Sequence, residues 1–262
     1  MAAKQARFVA VANEKGGVGK TAMVINLGAA LSAMGKRILI VDMDPQHNAG
    51  SGLGIEADDE AITVYDLMSA PDQYNAADAV FPTKWKNLEL IASHIDLAGA
   101  ELELVEAEGR ENRLNMALKG LATKYDVILM DTPPSLSLLT INVFAFCREV
   151  LVPCQTHPYA FRALTDLFDT IEAVQEEINP ELRISGLVPT FFDQRTRVSN
   201  MILDRLRSDE RYSHMLYDTA IRANTTIAAS TEAAKPVVFY RKTSNGARDF
   251  TALAAEFLKR AP

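Results

Sequence analysis

Seven consecutive residues, Lys15-Gly16-Gly17-Val18-Gly19-Lys20-Thr21, place two lysines around three glycines and end on a hydroxyl. An apolar run, Phe8-Val9-Ala10-Val11-Ala12, precedes them. A helical spacing of apolar residues, Met23, Val24, Leu27 and Leu31, follows. Strand, glycine-rich loop and helix together form the context in which a P-loop wraps a nucleotide polyphosphate. Backbone N–H groups from Gly16 to Ala22 converge on phosphate oxygens, and the helix N-terminus adds a favourable dipole. Lys20 is placed to neutralise the β- and γ-phosphates, and the Thr21 hydroxyl to bind Mg²⁺. The pattern G-x-x-x-x-G-K-[ST] calls for glycine where this chain has Glu14. A turn that needs glycines only for packing does not account for the two flanking lysines. Lys15 is the one that an ordinary P-loop does not require.

Two acidic sites end apolar runs, Val41-Asp42-Met43-Asp44-Pro45-Gln46 and Val127-Ile128-Leu129-Met130-Asp131-Thr132-Pro133-Pro134. Ligands of open α/β sheets bind at the carboxyl ends of strands. An aspartate there, beside a P-loop, holds Mg²⁺ directly or through its waters. Asp131 fits this role, with Asp42 as the second candidate. Asp44, two residues beyond its strand, is placed to orient a water for attack on the γ-phosphate. Phosphoryl transfer needs mainly positioning and charge neutralisation, which these residue types supply. Taken singly, each aspartate reads better as a helix cap or turn residue, Asp44-Pro45 being a natural turn initiator; the P-loop turns Asp44 and Asp131 toward function. His47, His94, His157 and His214 have no metal-ligand spacing and read as loop or surface residues. Cys147 and Cys154 form neither a C-x-x-C pair nor a disulfide framework, and read as buried free thiols in a reducing cytosol.

The elements that must position these groups alternate along the chain. Strands are expected at Arg7–Asn13, Arg37–Asp42, Leu88–Ala92, Asp126–Asp131, Glu149–Cys154 and Arg183–Pro189. Helices are expected at Thr21–Met34, Arg110–Thr123, Ser135–Phe146, Phe161–Ile178, Val198–Arg207 and Gly246–Arg260. The acidic stretch Glu56–Glu60 reads as a solvated loop. Continuous apolar strands suit a parallel sheet covered on both faces, so the expected fold is α/β and doubly wound, with a mostly parallel sheet. With 262 residues, 48% apolar and 23% charged, the chain has the make-up of a soluble globular protein, read as a single domain over 1–262. It has no ~18-residue apolar run for a membrane span, and its polar first residues do not resemble a signal peptide. The net charge of -7 is unevenly spread. Residues 1–180 carry 14 Lys/Arg against 25 Asp/Glu, whereas residues 181–262 carry 13 against 9. A basic face in the C-terminal segment and uneven surface solvation both fit that asymmetry.

With these segments in place, the chain resembles the ParA partition ATPases, the deviant-P-loop group that also contains the MinD septum-placement ATPases. The matching segments are Asn13–Thr21, Val41–Gln46 and Asp131–Ser135. Leu97–Leu104 and Thr140-Ile141-Asn142 also look like family segments. The resemblance implies that Lys15 reaches across a nucleotide-sandwich homodimer to the partner's ATP, so Glu14 is a family variant. It implies ATP and Mg²⁺ as cofactors, Asp44 positioning the attacking water and Asp131 serving the metal. Ala22 departs from the usual Thr or Ser, whose hydroxyl touches the α-phosphate, and somewhat weaker nucleotide binding is expected. The resemblance also implies nonspecific binding of double-stranded DNA by the ATP dimer through C-terminal arginines. Phe192-Asp193-Gln194-Arg195-Thr196 looks like the segment that holds one of them, Arg195. Arg222 sits one position before the family's second arginine, and Arg197 and Lys235 extend the patch. Contacts of this kind read no sequence and are salt-dependent.

Long plasmid versions carry a helix-turn-helix domain ahead of the P-loop. Here the first strand begins near Arg7, so the chain resembles the short type. The implied role is that of a cytoplasmic, nucleoid-associated ATPase, slow until a ParB-like adaptor or cargo protein stimulates it, that positions DNA or a protein assembly. A membrane-cycling, MinD-like role needs an amphipathic tail. The stripe Phe250, Leu253, Ala254, Phe257 and Leu258 reads instead as the final core helix. An iron–sulfur role lacks cysteine spacing. A passive scaffold leaves Asp44 and Asp131 unexplained.

Overall fold

The computed structural model describes residues 6–58 and 60–260; Asp59, within the expected Glu56–Glu60 loop, and the chain ends fall outside them. Among the described residues, seven strands form one sheet: β1 Arg7–Val11, β2 Ile38–Asp42, β3 Val80–Pro82, β4 Leu88–Ile91, β5 Val127–Asp131, β6 Glu149–Gln155 and β7 Arg183–Thr190. Their spatial order is β3-β4-β2-β5-β1-β6-β7. Every pairing is parallel except that of β3 with β4. The six longer strands match the apolar runs of the sequence to within two residues at each end. The short antiparallel β3 was not expected, because three residues carry no periodic signal.

Parallel strands need helical crossovers, and the helices cover both faces. They are α1 Lys20–Ala33, α2 Asn48–Leu53, α3 Val64–Ser69, α4 Leu97–Leu104, α5 Arg113–Leu118, α6 Leu138–Phe146, α7 Ala160–Glu177, α8 Arg197–Ser208, α9 Thr225–Glu232, α10 Val237–Tyr240 and α11 Asn245–Lys259. Strands β2 and β5 are buried at every residue. One apolar layer joins Leu39, Val41, Ile128 and Met130 to α5, α6 and α7; the other joins Ile38, Ile40 and Leu129 to α1 and α11. Phe250, Leu253, Ala254 and Phe257 of α11 lie in this second layer, so the stripe read as a core helix is buried.

Arg110–Thr123 is not the continuous helix expected. Asn142 of α6 is fully buried and donates to the Arg110 carbonyl at 2.8 Å, while its Oδ1 accepts the Leu114 N–H at 3.2 Å. The side chain thus replaces the hydrogen bond that would join Leu114 to Arg110 in an α-helix. The segment breaks into a 3₁₀ turn at Arg110–Asn112, then α5, then a second 3₁₀ turn at Lys119–Leu121. The short helices α2, α3, α4, α9 and α10 were also not anticipated. Capping fixes α3, whose N-terminal Thr63 and Asp66 form a reciprocal capping box.

Candidate nucleotide site and nucleic-acid groove

β1 delivers the chain to the glycine loop at the carboxyl edge of the sheet, and Gly19 opens α1. Gly17 and Gly19 take left-handed φ values of 74° and 95°. That region is costly for residues with a Cβ, which is why glycine is needed there. The loop is braced from behind. Asn13 Nδ2 donates to the Pro153 carbonyl, and its Oδ1 accepts the Lys15 N–H, both at 2.9 Å. The Thr190 hydroxyl donates to the Val18 carbonyl at 2.9 Å. These bonds tie the loop to β6 and β7 and leave the face formed by Gly16 and Gly17 exposed.

Lys20 is buried, and its Nζ donates to the Asn13 carbonyl at 2.9 Å. Burial pulls its ammonium below the usual lysine range, while the charges of Asp131 and Asp44 oppose that shift. Lys15 points elsewhere, its Nζ donating to Gln155 Oε1 at 3.3 Å. The two lysines of the motif therefore occupy separate places, one under the loop and one at the end of β6.

Asp42 and Asp131 are register partners at the ends of β2 and β5, and both are fully buried. Their surroundings differ. Asp42 Oδ1 accepts the Asp44 N–H at 3.1 Å, and its Oδ2 accepts the Ala49 and Gly50 N–H groups at 2.9 and 3.4 Å. Burial raises its carboxyl to about 7, against the pull of those N–H groups. Neither oxygen of Asp131 has a hydrogen-bond partner. Burial and then the charge of Asp42 push Asp131 well above the carboxylate range; the nearby Thr21 hydroxyl and Lys20 pull the other way. A buried carboxylate without partners is costly unless a cation joins it. The donor set is all oxygen, as Mg²⁺ prefers. Asp42 is already engaged with backbone and works as the strap that shapes Asp44 and α2. Asp44 is 9% exposed and accepts the Gln46 N–H at 3.0 Å.

Beside the loop lies an apolar cavity of about 230 Å³, lined by Gly19, Ala22, Met23, Phe191, Ile221 and Ile227 among others. Ala22, the departure from the usual hydroxyl residue, lines this cavity. Phe191 was not anticipated as a site residue. It holds φ 50°, is 46% exposed, and its ring lies 3.5 Å from where a Cβ on Gly19 would stand. A bulky residue at positive φ is strained and marks the place as over-determined by its neighbours. Its only sequence signal was its position at the end of an apolar strand.

A second, polar groove of about 410 Å³ is lined by Gln194, Arg195, Arg222, Thr225 and Asn245 among others. Arg195 and Arg222, 27 positions apart, are brought together by the pairing of Phe192 with Arg222. The Arg195 side chain is 85% exposed and forms a bidentate pair with Asp193, Nε to Oδ1 and Nη2 to Oδ2, each at 2.9 Å. Arg222 is bound to Asp249 instead of standing free. Arg197 is exposed at the first turn of α8, and Lys235 is exposed beyond α9; neither lines the groove. The four histidines lie in loops, three exposed and His94 partly so. Among the described residues no cluster of three or more His, Cys, Asp or Glu is arranged to hold a metal, and no helix is long and apolar enough to cross a membrane.

Residues 6–184 match a family described as an AAA domain. The chain is 40% identical over 250 residues to the sporulation initiation inhibitor protein Soj of Bacillus subtilis, covering 95% of this chain and 97% of Soj. It is 39% identical over 256 residues to the chromosome partitioning protein ParA of Myxococcus xanthus, covering 97% and 88%. Among solved structures, it is similar to a cobyrinic acid a,c-diamide synthase from Mycobacterium smegmatis with bound ADP and magnesium. The TM-score is 0.82 at 33% identity, over 97% of this chain and 94% of that one. With a seven-stranded doubly wound sheet, a two-lysine P-loop and these relatives, the chain belongs to the ParA family of partition ATPases.

Proposed function

We propose that this ATPase is an ATP-gated homodimer that binds duplex DNA without sequence preference and positions a cargo. The whole chain acts as one ATPase domain, with residues 181–262 supplying the basic face. Gly16–Ala22 cradle the phosphates of ATP, and the apolar cavity beside Ala22 takes its base. Lys20 moves its ammonium from the Asn13 carbonyl to the β- and γ-phosphates. Thr21 and Asp131 would hold Mg²⁺, which would neutralise phosphate charge; Asp42 supports them by fixing the backbone of Asp44 and α2. Asp44 orients the attacking water, and the chemistry is otherwise positioning and electrostatics. Lys15, held clear of its own loop by Gln155, is available to a partner subunit's nucleotide.

The observation that carries the nucleic-acid reading is the convergence of Arg195 and Arg222, each held by an aspartate, Asp193 and Asp249, on one groove beside amide and hydroxyl side chains. Guanidinium groups and small polar donors of this kind suit phosphate oxygens and carry no base readout. A ParB-like adaptor or a cargo protein stimulates the hydrolysis that ends each binding cycle.

Arg195→Ala tests the groove. The expected result is a roughly tenfold weaker ATP-dependent affinity for duplex DNA and a shallower salt dependence by about one unit, with dimerisation unchanged. Titrating fluorescent duplexes of different sequence against salt measures both. Unchanged affinity and slope would remove Arg195 from the interface.

A further inference from the structure

We infer that Asp249 is a positioning residue that governs the groove through Arg222 and ties it to the nucleotide cavity of the same protomer. The inference rests on the nucleic-acid reading of that groove. Arg222, Ala223 and Asn224 line both the apolar cavity beside the P-loop and the polar groove, so one stretch of backbone is the wall between them. That wall is pinned on both sides. The Ile221 N–H donates to the Pro189 carbonyl at 2.8 Å, and the Phe192 and Ala223 N–H groups donate to the Ile221 and Phe192 carbonyls, both at 3.1 Å. These bonds join the wall to the end of β7, next to the Phe191 ring that packs on Gly19.

From the other side, α11 supplies Asp249, which is 7% exposed. Its Oδ2 accepts the Arg222 backbone N–H at 3.1 Å and the guanidinium Nε at 3.0 Å, and its Oδ1 accepts Nε at 3.1 Å and Nη2 at 2.5 Å. One carboxylate thus fixes both the backbone and the charge of Arg222. It also cancels that charge where the groove would use it. A phosphate entering the groove must compete with a nearly buried carboxylate for the same guanidinium, and a base entering the cavity presses on the same wall. Asp249 therefore restrains nucleic-acid binding and links it to the state of the nucleotide cavity.

The test is Asp249→Asn, assayed for duplex binding with ATP and for affinity toward a fluorescent ATP analogue. Freeing one cation should raise duplex affinity about 3- to 10-fold at moderate salt and steepen the salt slope by about one unit. Asp249→Glu should restore wild-type behaviour, and adding Arg222→Ala to Asp249→Asn should erase the gain. Asp249→Ala, which removes the backbone anchor as well, should weaken binding of the ATP analogue several-fold. Where Asp249→Asn lowers the thermal midpoint, Arg222→Lys supplies the second arm: it keeps the cation, loses the two-pronged hold, and should bind duplex at least as well as wild type. Equal or weaker duplex binding by folded Asp249→Asn, or weaker binding by Arg222→Lys, overturns the inference. If wild-type protein with ATP does not bind duplex at all, the nucleic-acid reading fails and takes this inference with it. If wild type binds and Asp249→Asn only matches it, the inference alone fails.

Discussion

Two aspartates at equivalent strand ends do different work because their oxygens meet different partners. Asp42 spends both oxygens on backbone N–H groups, whereas Asp131 has none to accept. At zero exposure, burial and the charge of Asp42 hold the Asp131 carboxyl well above the carboxylate range, so it ionises when a cation joins it. Asp131→Asn, which exchanges one neutral buried group for another, should therefore change the stability of the nucleotide-free protein by no more than about 1 kcal/mol while abolishing Mg²⁺-dependent turnover. Asp44→Ala should leave that stability nearly unchanged, cut turnover by about a hundredfold or more, and prolong the ATP dimer. Denaturant melts and phosphate-release assays on the two variants separate the roles. Mg²⁺-dependent turnover by Asp131→Asn, or wild-type turnover by Asp44→Ala, would contradict the assignment.

At the scale of elements, β1, the glycine loop and α1 form one uninterrupted stretch of chain, so their chemistry was legible from spacing alone. The longer strands were legible for a related reason. Burial on both faces demands apolar residues throughout, as in Val127–Asp131. What the sequence hid depends on contacts between distant segments. Asn142 breaks a helix 28 residues away by taking over one backbone bond. Phe191 acquires its place from Gly19, and the Arg222–Asp249 pair joins residues 27 apart. The six-residue helix α2 includes two glycines and is held by the Asp42 strap more than by helix propensity. Asn142→Ala should cost about 3 kcal/mol, because it leaves the buried Leu114 N–H and the Arg110 carbonyl without that partner. Urea unfolding should show a lower midpoint with an unchanged slope; an unchanged midpoint would mean that α5 and its flanking turns are held by packing alone.

For the whole molecule, the charge asymmetry of the sequence falls on two different parts of the fold. The acidic N-terminal two-thirds carry the P-loop and its aspartates, and the basic C-terminal segment brings Arg195 and Arg222, paired with Asp193 and Asp249, to a groove that shares a wall with the apolar cavity beside the loop. A net charge of -7 disfavours DNA at long range, so the proposed binding would need this local surface, doubled in the proposed dimer. In the proposed cycle, nucleotide state is the switch. Its most direct test is the binding of duplex DNA of arbitrary sequence by the full chain with Mg²⁺ and either ATP or ADP, with molecular mass recorded in parallel. The expected result is a dimer that binds duplex in ATP, and a monomer with at least tenfold weaker binding in ADP. Equal duplex binding in the two nucleotides would contradict it.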